Sequence, residues 1–189
     1  MKPDSLKELQ PGVYLATDLV VQLDRADVRR LVATAEALPR RRARICSQRA
    51  NDTPIHEMLI ALGRETYVRP HMHPAKTESF HVIEGLCDVV LFDDRGSVRD
   101  VISLGDYQSG RVFFYRIADP IFHTLVIRTP IFVIHETTNG PFLPEETVVA
   151  SWAPAEADTP AAKAYMEDLS GKVDDFLQNR PKTDRQAIP

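Results

Sequence analysis

A chain of 189 residues, 43% of them hydrophobic and 26% charged, suits one soluble globular domain with a sizeable core. The formal net charge of -4 argues against a general nucleic-acid binder. The first residues carry no apolar signal segment, and no run approaches the roughly 18 apolar residues of a membrane span. Cys46 and Cys87 have no evident pairing, so we expect a cytoplasmic protein with free thiols.

The N-terminal residues 1–63 read as an extension that packs on the main body of the domain. Residues 12–16, Gly-Val-Tyr-Leu-Ala, have the composition of a short strand. Apolar residues then recur at helical spacing from Val28 to Leu38, and Pro39 ends that pattern. The pattern predicts a helix that stops just before the proline.

A second helix is predicted over residues 53–63. Thr53 and Pro54 have the residue types of a helix cap and a first helical position. The apolar residues that follow recur three and four positions apart, and Gly63 is a suitable stop. On this helix His56 is expected to be an ordinary surface residue.

From Thr66 to about Thr138 the hydrophobic period changes to two. Short strands rich in Val, Ile and Phe alternate with turn sequences, of which Glu84-Gly85 and Asp93-Asp94-Arg95-Gly96 are examples. That spacing predicts an antiparallel sandwich or barrel over residues 64–150. Residues 151–189 follow as a helix that starts at Thr159, with a second segment after Gly171, and as a polar tail.

The most informative motif is His71-Met72-His73 followed by Glu78. In an extended strand His71 and His73 project to the same side, roughly 6–7 Å apart. Two imidazoles at that spacing can bind one transition-metal ion, and Glu78 can join them if the intervening residues turn. Gly85 then closes the next strand. This pattern predicts a metal site.

The run from His71 to Gly85 resembles the first signature of the cupins, β-barrel proteins that hold one metal. The resemblance implies an all-β double-stranded β-helix, or jelly-roll, barrel with flanking helices. It also implies a third histidine ligand from a later strand, and His123 occupies that position. The chain departs from the cupin pattern at Glu65, at Ala118-Asp119-Pro120 and at Ile127, which affects turns and one minor site residue but none of the ligands.

A closer resemblance, to the WbuC family of cupin-fold metalloproteins, extends from about residue 24 to about residue 169. It is carried by Pro39–Arg44, Tyr67–Pro74, Leu91–Gly96 and Trp152–Pro154, among other stretches. That family is associated with bacterial surface-polysaccharide gene clusters. The resemblance therefore implies a metalloprotein and points towards sugar chemistry.

The predicted ligand set is His71, His73, Glu78 and His123, with one divalent transition metal per chain. Three imidazoles and one carboxylate leave one or two coordination positions open, as in a reactive or ligand-binding site. The donors suit Fe, Mn, Ni, Co or Zn and do not choose among them.

Other residues are candidates for the walls of the site. By strand alternation Arg69 and Tyr67 share the face of His71; Arg69 either anchors an anion or pairs with a protein acid, and Tyr67 is either a proton donor or wall packing. Phe80 shares the face of Glu78 and is expected to contact the substrate in a largely apolar pocket. Only one of His135 and Glu136 can face inward, and the resemblance favours Glu136 as general base or as partner of a ligand.

The basic run Arg40–Arg44 has two interpretations. Most such runs are solvated, but a phosphate-binding role fits if this segment folds over the barrel mouth. Cys87 is predicted to be a small buried side chain in a strand, and Cys46 to lie in a loop.

These residues predict a metal-dependent enzyme, of isomerase or epimerase type, that acts on a small anionic or sugar-derived molecule. One alternative is a non-haem iron dioxygenase, and another is a metal-dependent binding module without catalysis. Fold alone cannot separate these classes. We also expect a homodimer, because sheet edges need cover.

Overall fold

A computed structural model describes residues 5–141, 143 and 146–180 of the chain. Within these residues the strands are β1 (Leu6–Gln10), β2 (Val13–Ala16), β3 (Arg42–Cys46), β4 (Ile55–Gly63), β5 (His71–Met72), β6 (Glu78–Glu84), β7 (Leu86–Phe92), β8 (Val98–Gly105), β9 (Phe114–Ile117), β10 (Phe122–Ile127), β11 (Ile131–Asn139) and β12 (Val148–Val149); the helices are α1 (Arg25–Ala37) and α2 (Thr159–Asn179). The predicted strand β2 and helix α1 are confirmed. The end of the predicted polar tail, from residue 181 onward, lies outside the described residues.

The strands form two sheets that share one apolar core. The seven-stranded sheet has the order β1-β2-β3-β4-β11-β6-β9, and the five-stranded sheet has the order β12-β5-β10-β7-β8. Buried side chains from both sheets, such as Phe80 and Phe132 from the first and Val89 and Leu125 from the second, belong to one cluster. The apolar core therefore lies between the two sheets. Side chains at one end of this core can line a site.

Each helix covers the outer face of one sheet. Asp24 caps α1 in a reciprocal arrangement with Asp27, and Leu38 leaves the helix in an extended conformation before Pro39, as proline requires. Helix α1 packs on β3, β4 and β11, whereas α2 packs on β8 and β10. Helix α2 runs without interruption through Gly171, so the predicted break there is wrong. Among the described residues, no helix has the length and apolar character to span a bilayer.

The helix predicted over residues 53–63 is wrong, because this segment is strand β4. It pairs with β3 on one side and with β11 on the other. From Met58 to Leu62 α1 covers the outer face of the strand and the core covers its inner face, so this part reads as a continuous apolar run. Such a run fits helical and extended periodicity equally well.

Two side chains in this region are also placed differently from the prediction. His56 is only 4% exposed, and its ring Nε2 lies 3.1 Å from the carbonyl oxygen of Asn51. Cys46 ends β3 and is buried rather than in a loop. Cys87 is fully buried in β7, as predicted.

Gly85 joins β6 to β7 with a φ of +89°, in the left-handed region that favours glycine. A Cβ at this position would lie 2.4 Å from the carbonyl oxygen of Ile131. The turn that follows the Glu78 strand thus requires glycine on two independent grounds.

Candidate metal centre and its cavity

The structure brings the four predicted ligands together from three strands. His71 in β5 lies directly opposite His123 in β10, His73 follows β5, and Glu78 begins β6. The two oxygens of Glu78 lie 3.4 Å from Nε2 of His123 and 3.7 Å from Nε2 of His73. The ring centroid of His71 is 4.9 Å from that of His73 and 4.6 Å from that of His123.

The histidine rings are oriented by hydrogen bonds on the nitrogen that faces away from Glu78. Nδ1 of His71 lies 2.8 Å, and Nδ1 of His123 lies 3.0 Å, from the carbonyl oxygen two residues earlier in the chain. A carbonyl oxygen only accepts, so in each ring Nδ1 carries a proton, and Nε2 is the nitrogen that faces the other ligands. Nδ1 of His73 lies 3.3 Å from the hydroxyl of Thr147. Such partners fix the tautomer and orientation of metal-binding histidines.

Burial and mutual charge set the protonation of the four groups. Burial lowers the pKa of His71 to about 4 and lowers the pKa of His73 as well. Burial acts to raise the pKa of Glu78, but a hydrogen bond and charge from His123, with the other two histidines, bring it below its usual value. Burial opposes protonation of His123 too, yet Glu78 raises its pKa. Glu78 is therefore a carboxylate, and His71 and His73 are neutral.

This donor set fits a divalent transition ion. Neutral imidazole nitrogens and a carboxylate are the forms that bind metal, and the ligand atoms of His71, His73 and Glu78 all lie within 4.8 Å of one another. His123 completes the group through its contact with Glu78. The set remains compatible with Fe, Mn, Ni, Co or Zn.

The four side chains open into a cavity of about 270 Å³ between the sheets. Its apolar wall is formed by Ile60, Leu62, Phe80, Leu125 and Ile134. Phe80 therefore lies where the sequence predicted, on the same face of β6 as Glu78, while His81 is exposed. A volume of this size suits a small molecule.

Glu136 lines the same cavity, which answers the question left open between His135 and Glu136. In the pairing of β6 with β11, Glu136 lies opposite Phe80. Glu78 is the next residue of β6 on the same face. His135 points away, with Nε2 3.7 Å from a carboxylate oxygen of Glu57. Burial, and then the charge of Glu78, raise the pKa of Glu136 to about 8. Its carboxyl is thus protonated near neutral pH and can donate a hydrogen bond or a proton.

The phenol of Tyr115 is a neighbour of the centre that sequence reasoning missed. Its hydroxyl donates to Oε1 of Glu78 over 3.3 Å, and its ring packs edge-on against Phe80. Tyr115 reaches this position because β9 pairs with β6, and no local pattern in the sequence indicates that pairing.

The structure does not place Tyr67 and Arg69 where strand alternation predicted, because β5 contains only His71 and Met72. The hydroxyl of Tyr67 donates to the carbonyl of Pro154 over 2.9 Å, and burial raises its pKa to about 12. The guanidinium of Arg69 donates to the carbonyl of Ala150 over 2.8 Å. Both side chains thus contact the segment that contains Ala150 and Pro154. Neither is among the described residues that line the cavity.

Three arginines of the basic run line the cavity instead. Arg40 and Arg42 both pair with Glu156. A terminal nitrogen of Arg42 lies 3.5 Å from a carboxylate oxygen of Glu156. Arg44 also lines the cavity and makes no such pair with a described residue. The run is therefore not simply a solvated surface segment.

Comparisons with known proteins support the fold and leave the activity open. The model of a family described as a domain of unknown function (DUF6016) matches residues 23–104. No curated protein matches significantly. The WbuC resemblance stays a prediction, since the matching family carries a different description.

Solved structures similar to this chain share little sequence with it. A salicylate 1,2-dioxygenase from Pseudoaminobacter salicylatoxidans, in complex with gentisate, is 14% identical with a TM-score of 0.51, over 68% of this chain and 37% of its own. Protein SO0799 from Shewanella oneidensis is 15% identical with a TM-score of 0.46, over 62% of this chain and 75% of its own. A Klebsiella pneumoniae protein with a double-stranded β-helix domain is 14% identical with a TM-score of 0.44, over 58% of this chain and 79% of its own.

The predicted fold class is confirmed in that the described residues are mostly β, in two sheets around one core with two flanking helices, and the salicylate 1,2-dioxygenase shares this fold over 68% of the chain. A shared fold does not fix an activity, so this likeness leaves the reaction open.

Proposed function

We propose that this chain is a metal-dependent enzyme that performs acid–base chemistry on a small, sugar-derived molecule. Its ligands for one divalent transition ion are His71, His73, Glu78 and His123. When bound there, such an ion supplies Lewis-acid polarisation of a substrate oxygen. Isomerase or epimerase chemistry, in which a proton leaves one atom and returns to another, fits this arrangement best.

One observation carries the proposal: Glu136 lines the same small cavity as the four ligands. It takes no part in the pairs that Glu78 forms with His73 and His123. The apolar wall formed by Phe80 and its neighbours excludes water and orients the substrate. Glu136 then holds or moves the proton at its carboxyl oxygen. Tyr115, which donates to Glu78, keeps that carboxylate in position.

The metal assignment is tested first, by elemental analysis of protein purified without added metal. We expect about one equivalent per chain in the wild type and none in the His71→Ala/His73→Ala double variant. His81→Ala is the matched control, because His81 is an exposed histidine on the strand of Glu78 and its loss should leave metal content unchanged. Wild-type metal content in the double variant would exclude these ligands.

The reaction class is tested by proton exchange. Metal-loaded protein is incubated in D₂O with a panel of sugars and sugar phosphates, and deuterium incorporation at carbon is followed by NMR. Exchange should be lost in Glu136→Gln with its metal content intact. Oxygen consumption without deuterium exchange would favour the dioxygenase alternative, and a ligand-induced gain in stability with neither reaction would favour the binding module.

A further inference from the structure

Alternation along β3 divides the basic run between two faces of the seven-stranded sheet. Ala43 and Ile45 are buried in the cluster beneath α1, on the outer face. Arg42 and Arg44 therefore point to the opposite face, and both line the cavity that contains the four metal-ligand candidates. Both arginine side chains therefore reach the cavity from the inward face of β3.

Arg44 brings into this cavity a cation that forms no ion pair with another described residue. Its Nε is buried and has no hydrogen-bond partner in the described part of the chain. A buried polar group without a partner is costly, so most such groups in proteins contact water or a ligand. Glu136 is the acidic side chain that interacts electrostatically with Arg44, but the two form no ion pair. Nε of Arg44 is thus available to a molecule in the cavity.

Arg42 differs from Arg44 in having a partner of its own. Its terminal nitrogen lies 3.5 Å from Glu156, a carboxylate that Arg40 also contacts. The side chain of Glu156 is 39% exposed, so this shared pair lies towards solvent. Arg42 therefore adds positive charge near the opening, while Arg44 is the arginine available for direct contact.

The sheet register places Arg44 beside the proposed chemistry. Arg44 lies opposite Ile60, which lies opposite Ile134, and Glu136 is the next inward residue on that strand. The Cα atoms of Arg44 and Glu136 are therefore offset by two inter-strand spacings of roughly 4.8 Å each and by roughly 6–7 Å along the strand. That separation leaves room between the two side chains for a small molecule, and a planar guanidinium can bind its carboxylate or phosphate through two parallel hydrogen bonds.

We propose that Arg44, supported by the charge of Arg42, binds the oxyanion of a substrate that carries a carboxylate or phosphate group, while the rest of that substrate extends towards Glu136 and the metal ligands. This inference rests on the proposed function and names its substrate class. It assigns to Arg44 the anion-anchoring role that the sequence predicted for Arg69.

The anion site is tested in metal-free protein, so that a probe cannot bind to an ion. Inorganic phosphate and acetate are titrated separately into ¹⁵N-labelled wild type, and the arginine Nε–Hε resonances are followed by NMR. The Arg44 resonance is assigned by its absence in Arg44→Met. We expect it to shift and saturate with the favoured anion, and that anion to bind Arg44→Met roughly 10- to 100-fold more weakly.

Controls separate charge, fold and metal effects. Arg29→Met removes a positive charge from the exposed side of α1 and should bind the probe as the wild type does. Arg44→Lys keeps the charge but loses the planar fork, so intermediate binding is expected. If Arg44→Met fails to fold, the resonance shift in the wild type and the Arg44→Lys titration decide the question.

The inference is overturned if neither anion gives a saturable shift of the Arg44 resonance, or if Arg44→Met binds the better anion as tightly as wild type. Elemental analysis of the same samples before metal removal keeps the two proposals apart. Loss of anion binding with metal content retained supports the anion site. If the wild type contains no metal as purified, before any metal is removed, and still binds the anion, the metal-dependent function is refuted and the anion site stands.

Discussion

Replacing Glu136 by glutamine should remove a distinct pH dependence of stability. Burial and the charge of Glu78 raise the pKa of Glu136 from 4.5 to about 8 in the folded protein. The folded state therefore binds this proton more tightly than the unfolded state does. Proton binding at Glu136 therefore contributes fully to the free energy of unfolding below about pH 4.5. This contribution is lost as the pH rises through about 8.

The magnitude follows from the shift and from the surroundings of the carboxyl group. Each unit of pKa difference corresponds to about 1.36 kcal/mol, so the full shift sets an upper limit of roughly 5 kcal/mol. Glu136 is half-buried at the cavity wall, so screening by solvent reduces the effect. We expect the free energy of unfolding of the wild type to fall by about 2 kcal/mol relative to Glu136→Gln across this pH range.

The measurement is urea denaturation of metal-free wild type and Glu136→Gln at a series of pH values. The difference between the two proteins should grow in favour of the glutamine variant as the pH rises. In metal-loaded protein the ion's charge should lower the pKa of Glu136 and move the transition to lower pH. Parallel profiles for the two metal-free proteins would show that Glu136 does not titrate in this range and would refute the reasoning.

Two further outcomes test residues outside the cavity. Tyr67→Phe should lower the free energy of unfolding by about 1 kcal/mol, because it removes the hydrogen bond to the Pro154 carbonyl. Metal content should not change. Loss of turnover at unchanged stability would instead favour the proton-donor role, one of the two roles predicted from the sequence. Light scattering should give the mass of a dimer, since β9 is an edge strand whose Phe114 is 52% exposed, and a monomer at micromolar concentration would contradict that prediction.

Local patterns predicted much of the fold. The alternating segments from residue 66 onward became the strands of two sheets, and the glycine turn after the Glu78 strand is where the motif placed it. The β4 segment failed because a strand buried on both faces has no alternation to detect. Its two buried faces exist only because α1 and the opposite sheet cover them.

The sequence by itself identified His71, His73 and Glu78, because their spacing is a local property of two consecutive strands, and the resemblance to the cupins added His123. The inward direction of Glu136 rather than His135, the contact of Tyr115 with Glu78, and the presence of Arg44 rather than Arg69 in the cavity wall were decided only by the tertiary structure. Each depends on which strands pair and in which register, and a shift of one residue moves a side chain to the other face of the sheet. Register is set by the packing of the whole chain, which no local pattern contains.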